Sequence, residues 1–173
     1  MEKRYKGILA VIFFFLLIAV ATACNHEGDN SDVTARSGNQ DIPVLEENEH
    51  SFGPLVSGKE LEEIPYIQLG SDVTITFGGP VLSAVQFDIE DILLNMDGSP
   101  KYRKGLSASI DLVHHGNTVS FKLPTNPNAF LSSNSEDYLP GRTLRGFRLT
   151  FERDHQAFSY LLVLRTDAEK SGE

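Results

Sequence analysis

The chain has 173 residues, a net charge of −9, one cysteine and no tryptophan. That charge excludes the basic footprint on which nucleic-acid binding depends. A lone thiol excludes an intrachain disulfide framework.

The first predicted element is a leader. Lys3, Arg4 and Lys6 precede a largely apolar run from Gly7 to Ala23 that closes on Ala21, Thr22 and Ala23, the three-part layout of a secretory signal. The run also reaches the roughly 17-residue lower limit for a membrane span, so length alone leaves a retained anchor open. Ala21-Thr22-Ala23-Cys24 resembles the lipobox of bacterial lipoproteins, with Ala21 where the commonest form has Leu. The resemblance implies cleavage before Cys24, a diacylglyceryl group on its thiol, and a protein lipid-anchored on the extracytoplasmic face of the cell membrane. Two acyl chains, at about 0.8 kcal/mol per buried CH₂, supply the two signals that stable anchoring requires. Removing Glu2, Lys3, Arg4 and Lys6 with residues 1–23 takes the net charge from −9 to −11 and leaves no free thiol for catalysis or metal binding.

Residues 24–50 read as the lipidated Cys24 and a flexible acidic tether. Residues 25–64 hold ten acidic groups against two basic ones, and large apolar residues before His50 are too few to offset the cost of ordering the chain. The predicted domain spans residues 51–173. At its edge Phe52, Leu55, Val56, Leu61 and Ile64 are able to add a short strand or a helical turn.

From Pro65 onward apolar residues alternate with polar ones, the period of half-buried strands. Val73, Ile75 and Phe77 share one face, as do Val85, Phe87 and Ile89, with Gln86, Asp88 and Glu90 outward; a run from Ile92 to Leu94 ends at the turn signal NMDGSP. A two-residue Gly116-Asn117 loop pairs His115 with Thr118, Leu112 with Phe121 and Ile110 with Leu123, and sets Asp111 against Lys122. A last hairpin turns at Arg153 to Gln156 and sets Phe151 against Phe158, Leu149 against Tyr160 and Phe147 against Leu162. Its outer face mixes Arg148, Thr150 and Glu152 with Leu161 and Val163, which calls for partial cover. The long connection between the two hairpins is either a crossover between sheets or a working loop. These elements predict an all-β fold, an antiparallel sandwich of about seven strands with Greek-key connections. LPGRTLRGFRL is similar to the loop and penultimate strand of fibronectin type III and related immunoglobulin-like domains, which implies an immunoglobulin-like sandwich. The corner tyrosine of that family falls at Leu144, with Tyr138 upstream as its nearest substitute.

Chemical signals are sparse. His114 and His115 are adjacent on a strand and point to opposite faces, so they do not chelate one ion. Asp88, Glu90 and Asp91 form the densest acidic spot; they are the candidates for Ca²⁺ or for an acid/base pair, against a plainer role as solvated edge charges. No serine elbow occurs, and Gly78-Gly79-Pro80 lacks the lysine and helix of a phosphate loop. Phe130 and Tyr138, on the long connection, are the candidates for partner binding. The expectation is a non-catalytic binding module at the cell envelope. It needs no cofactor beyond its lipid, and it meets the membrane through that lipid and an envelope protein through its loops. The alternatives are an extracytoplasmic enzyme or Ca-dependent binder using Asp88 and Glu90, and a subunit that completes its mixed face inside an assembly.

Overall fold

A computed structural model describes residues 33–47, 51–78, 86–103 and 106–169. Cys24, the leader, Val85 and the Gly79-Pro80 step lie outside them. All described residues belong to one compact unit, Ser31–Glu173.

Ten strands form two antiparallel sheets, an all-β sandwich. The first sheet is ordered β2 (Gln40–Ile42), β1 (Val33–Ser37), β4 (Asp72–Phe77), β8 (Thr118–Lys122) and β7 (Val113–His115). The second is ordered β3 (Val44–Glu46), β10 (Gln156–Thr166), β9 (Thr143–Arg153), β5 (Phe87–Leu93) and β6 (Ala108–Ser109). With β2 and β3, which follow β1 on the outer edges, and the two-residue β6 set aside, seven strands remain, ordered β1-β4-β8-β7 and β10-β9-β5. That is the A-B-E-D and G-F-C strand order of an immunoglobulin-type sandwich.

The core lies between the sheets and is built by the predicted alternation. Val73, Ile75 and Phe77 from β4 and Val119 and Phe121 from β8 meet Phe147, Leu149 and Phe151 from β9 and Tyr160, Leu162 and Leu164 from β10. Aromatic rings fill one end of it: Phe77 stands edge-on to Phe151 at 5.5 Å, and Phe151 stacks on Phe158 at 5.2 Å. The β9–β10 hairpin has the predicted register, Phe151 opposite Phe158 and Phe147 opposite Leu162. Its turn residues Asp154 and His155 both have positive φ, 53° and 62°, the backbone of the two-residue turn whose twist matches paired strands.

Three sequence expectations are corrected. Residues 33–47, read as tether, form β1, β2 and β3. Their apolar residues are few, but Val33, Ala35 and Ile42 occupy inward positions and are buried, and two preformed sheet edges supply the backbone partners. Composition averages over a segment and does not register which positions alternate. The second correction concerns Lys122, which lies opposite Asp72 of β4 rather than Asp111. The predicted β7–β8 hairpin holds from Val113 to His115, and before it the chain leaves for the other sheet, where Glu90 and Asp91 pair with Ser109 and Ala108. Third, Asp91 is not part of a surface acidic spot. It points inward between Ile89 and Leu93 and is fully buried.

Asp91 meets Arg145 of β9, whose side chain is also buried. Arg145 donates from Nε to Oδ1 at 3.0 Å and from Nη2 to Oδ2 at 2.5 Å, and from Nη1 to the Pro124 carbonyl at 2.6 Å. A bidentate fork with a third acceptor is the arrangement that makes a buried guanidinium tolerable. Cover for the mixed outer face comes from the segment after β3. A one-turn helix, α1 (Gly53–Val56), and a 3₁₀ turn at Leu61–Glu63 bring Phe52, Leu55, Val56 and Ile64 onto Leu161, Val163, Leu94 and Leu144. Gly146 makes room for this layer: a Cβ there would stand 2.7 Å from both Phe52 and Leu94.

Two predictions follow from this packing. Asp91→Ala alone strands the Arg145 charge and is expected to cost about 3–5 kcal/mol in urea unfolding, whereas Asp91→Leu with Arg145→Met recovers most of that loss. Gly146→Val pushes Phe52 off the sheet and is expected to cost about 1–3 kcal/mol in the same assay.

Candidate functional site

The sandwich has two unlike ends. At the hairpin end lie Val33 opposite Phe77, the His115–Thr118 turn and the Arg153–Gln156 turn. At the crossover end lie Asp72 opposite Lys122, Leu93 opposite Arg145, and Thr143 opposite Thr166. The twenty-residue connection from Leu123 to Arg142 joins β8 in one sheet to β9 in the other, so it is the crossover.

Local side-chain chemistry shapes this crossover. Asn126 is buried and its side chain accepts the Asn128 N–H at 2.9 Å, opening a 3₁₀ turn at Pro127–Leu131. Asn134 accepts the Glu136 N–H at 3.1 Å and opens a second at Ser135–Tyr138. Asparagine is favoured at both places because its amide oxygen satisfies an orphan N–H at a turn start. Between the turns, Ser132 and Lys101 both donate to the Asp137 carboxylate, and the Tyr138 hydroxyl donates to the Ser132 carbonyl at 2.7 Å. The base of the crossover is fastened by Arg145 at Pro124.

These restraints hold an apolar surface in the open. Phe130, Leu131, Tyr138 and Leu139 are 48%, 57%, 40% and 50% exposed, and Met96 and Leu106 are exposed as well. Leu106 is tied to the crossover through its carbonyl, which accepts from Asn128 Nδ2 at 2.8 Å.

Tyr102 stands beside the crossover against Leu93, Ala129 and Ala168 and forms a wall between two clefts. The smaller, about 210 Å³, includes Lys101, Asp137, Arg142 and Met96. The larger, about 490 Å³, is bounded by Phe52, Ile92, Leu93, Pro100 and Leu106. The Tyr102 hydroxyl is buried and has no hydrogen-bond partner among the described residues. Burial, with the nearby Asp137 charge and Tyr138, raises its pKa above the ordinary tyrosine value. Burial also opposes the charge on Asp137, but the hydrogen bonds from Lys101 and Ser132 and the Lys101 charge outweigh it and hold the carboxyl below the usual range.

The acidic candidates are dispersed. Asp88 and Glu90 are exposed on the outer face of the second sheet, and Asp91 is on the inner face. Glu90 accepts from Arg148 at 3.2 Å, and Arg148 also forks onto Glu47, at 3.0 Å from each of two nitrogens. Burial works against the Arg148 charge, but these two carboxylates raise its pKa. Among the described residues, no group of three or more His, Cys, Asp or Glu is arranged to hold a metal ion. His114 packs edge-on against Phe87 at 5.0 Å, opposite Val119 as its register requires. Phe130 and Tyr138 are both exposed, on the two successive 3₁₀ turns of the crossover. The sequence does not mark Tyr102 or Leu106 as neighbours of the crossover, which the Tyr102–Ala129 packing and the Asn128–Leu106 hydrogen bond make them; the only local signal is a short basic and aromatic run after the NMDGSP turn.

No family model, no curated protein and no solved structure matches the chain.

The Asp137 knot makes the crossover acid-sensitive. Because its folded pKa lies below the ordinary 3.8, its stabilisation is complete above that value and is lost as pH falls through the lower folded one. Amide protection factors at residues 127–139, taken against the intrinsic rate at each pH, are therefore expected to fall below about pH 4 while β9 and β10 stay protected, and Asp137→Asn should bring the same loosening at neutral pH.

Proposed function

We propose that this protein is a non-catalytic lipoprotein of the cell envelope, anchored on the extracytoplasmic face through Cys24, whose immunoglobulin-like domain engages a protein partner with the crossover. The observation that carries this reading is the concentration of exposed large apolar side chains. Four of the seven among the described residues, Phe130, Leu131, Tyr138 and Leu139, lie on the single crossover. Scattered apolar residues are ordinary on a surface, but a cluster held in place by hydrogen bonds is a recurrent mark of an interface.

Two measurements test the reading. Mass spectrometry of the protein from its own cells should find an N-terminus at a diacylglyceryl-modified Cys24; a chain that retains Met1 and a free thiol overturns the anchoring. A photo-crosslinking residue at Leu131 should capture an envelope protein in intact cells, and the same probe at His155 should not. Equal capture at both positions, or none at either, overturns the assignment of the crossover.

A further inference from the structure

We propose that the larger cleft beside Tyr102 binds a small amphipathic carboxylate: an acid with an apolar chain or ring and one anionic head. The inference concerns a site apart from the exposed crossover residues, and it stands whether or not the crossover engages a protein.

Two observations carry it. The first is shape and lining. At about 490 Å³ the cleft falls within the range of small-molecule sites, roughly 300–1,000 Å³, and its walls are the apolar groups of Phe52, Ile92, Leu93, Pro100 and Leu106. The second is charge. Three charged side chains border it, Glu90, Arg103 and Arg148. Glu90 and Arg148 are joined to each other, and Arg148 is further held by Glu47. The Arg103 guanidinium has no hydrogen bond or ion pair among the described residues. An unpaired fork at the edge of an apolar cleft is complementary to a carboxylate, which accepts two parallel N–H donors.

The two sides of the cleft divide the work. Phe52 and Ile92 belong to the packed layer on the second sheet, so the apolar wall is preformed and entry of a hydrocarbon or aromatic body costs little reordering. Leu106 is exposed, and a bound body would remove it from water. Arg103 then selects the head group, since the one carboxylate bordering the cleft, Glu90, is already engaged by Arg148, and an alcohol would leave the fork without a charge to hold.

The test is titration calorimetry on the chain from Ser31 to Glu173, which contains both sheets and both apolar layers. The probes are 4-phenylbutyrate, 4-phenylbutanol and 4-phenylbutylamine, which share one apolar body and differ in the head. The butyrate is expected to bind about tenfold or more tighter than the other two. Arg103→Gln should bring it down to the alcohol's affinity without changing the alcohol. Leu106→Asp should weaken both. Equal affinity for the three probes, an indifferent Arg103→Gln, or no saturable binding overturns the proposal. Melting curves confirm that both variants stay folded, since neither residue is in the core. The outcome is read separately from crosslinking at Leu131, so failure of one leaves the other standing.

Discussion

Arg145 places a guanidinium between two β-sheets with no access to water, and much of the crossover end is arranged around that fact. Its fork takes both oxygens of Asp91 on the neighbouring strand, and its remaining arm takes the Pro124 carbonyl, where the chain leaves the first sheet for the second. A side chain of β9 thereby fixes both its own sheet and the start of the crossover. The guanidinium also lies 5.2 Å over the Phe147 ring, so the buried charge is packed against an aromatic side chain of the core. Such a pair contributes little net stability over an apolar substitute; what it supplies is a unique arrangement, because a slipped register would leave two bare charges in a dry interior.

The second sheet is unusual in carrying apolar layers on both faces. Its inner face closes the main core, and its outer face takes the layer led by Phe52. Both strands of the long hairpin are therefore buried on two sides over part of their length, and β10 reads Leu161, Leu162, Val163, Leu164 without a break. Above that layer the outer face turns polar, where Arg148 gathers Glu47 and Glu90 and Ser159 joins Glu47 at 2.5 Å. The face read from sequence as mixed is thus two regions, one covered and one wet. The reading of an assembly interface on that face is not needed to explain its apolar half, since the chain itself covers it.

At the sides of the sandwich the chain changes sheets rather than leaving long edges. β1 and β2 lie in one sheet and β3 in the other, with Pro43 between them, and on the opposite side β6 and β7 divide in the same way. The outermost strands β2, β3 and β7 have three residues each and β6 has two. Edges that short offer little template for unwanted pairing. Four of the seven exposed large apolar groups among the described residues sit instead on the crossover, whose backbone is tied into 3₁₀ turns.

The two hairpins were legible in the sequence because everything that sets them is local. A turn of known length pins the register, and residues a few positions apart then either alternate correctly or do not; Phe151 opposite Phe158 follows from counting. The same parity already puts Asp91 on the inner face with Ile89 and Leu93. Its meaning depended on Arg145, fifty-four residues later, and no local rule pairs a carboxylate with a guanidinium across that distance. The strands β1 to β3 escaped for a related reason: strands of three to five residues with one or two inward apolar groups carry almost no periodic signal, and they exist because longer strands are already there to receive them. The clefts beside Tyr102 belong wholly to the tertiary level. They are spaces between α1, the end of β5, the turn after it and the crossover, segments remote in the chain, and a space has no sequence of its own. The sequence by itself determined an alternating, antiparallel all-β chain with two registered hairpins; the fold alone decided which polar groups were buried together and which apolar ones were left in the open.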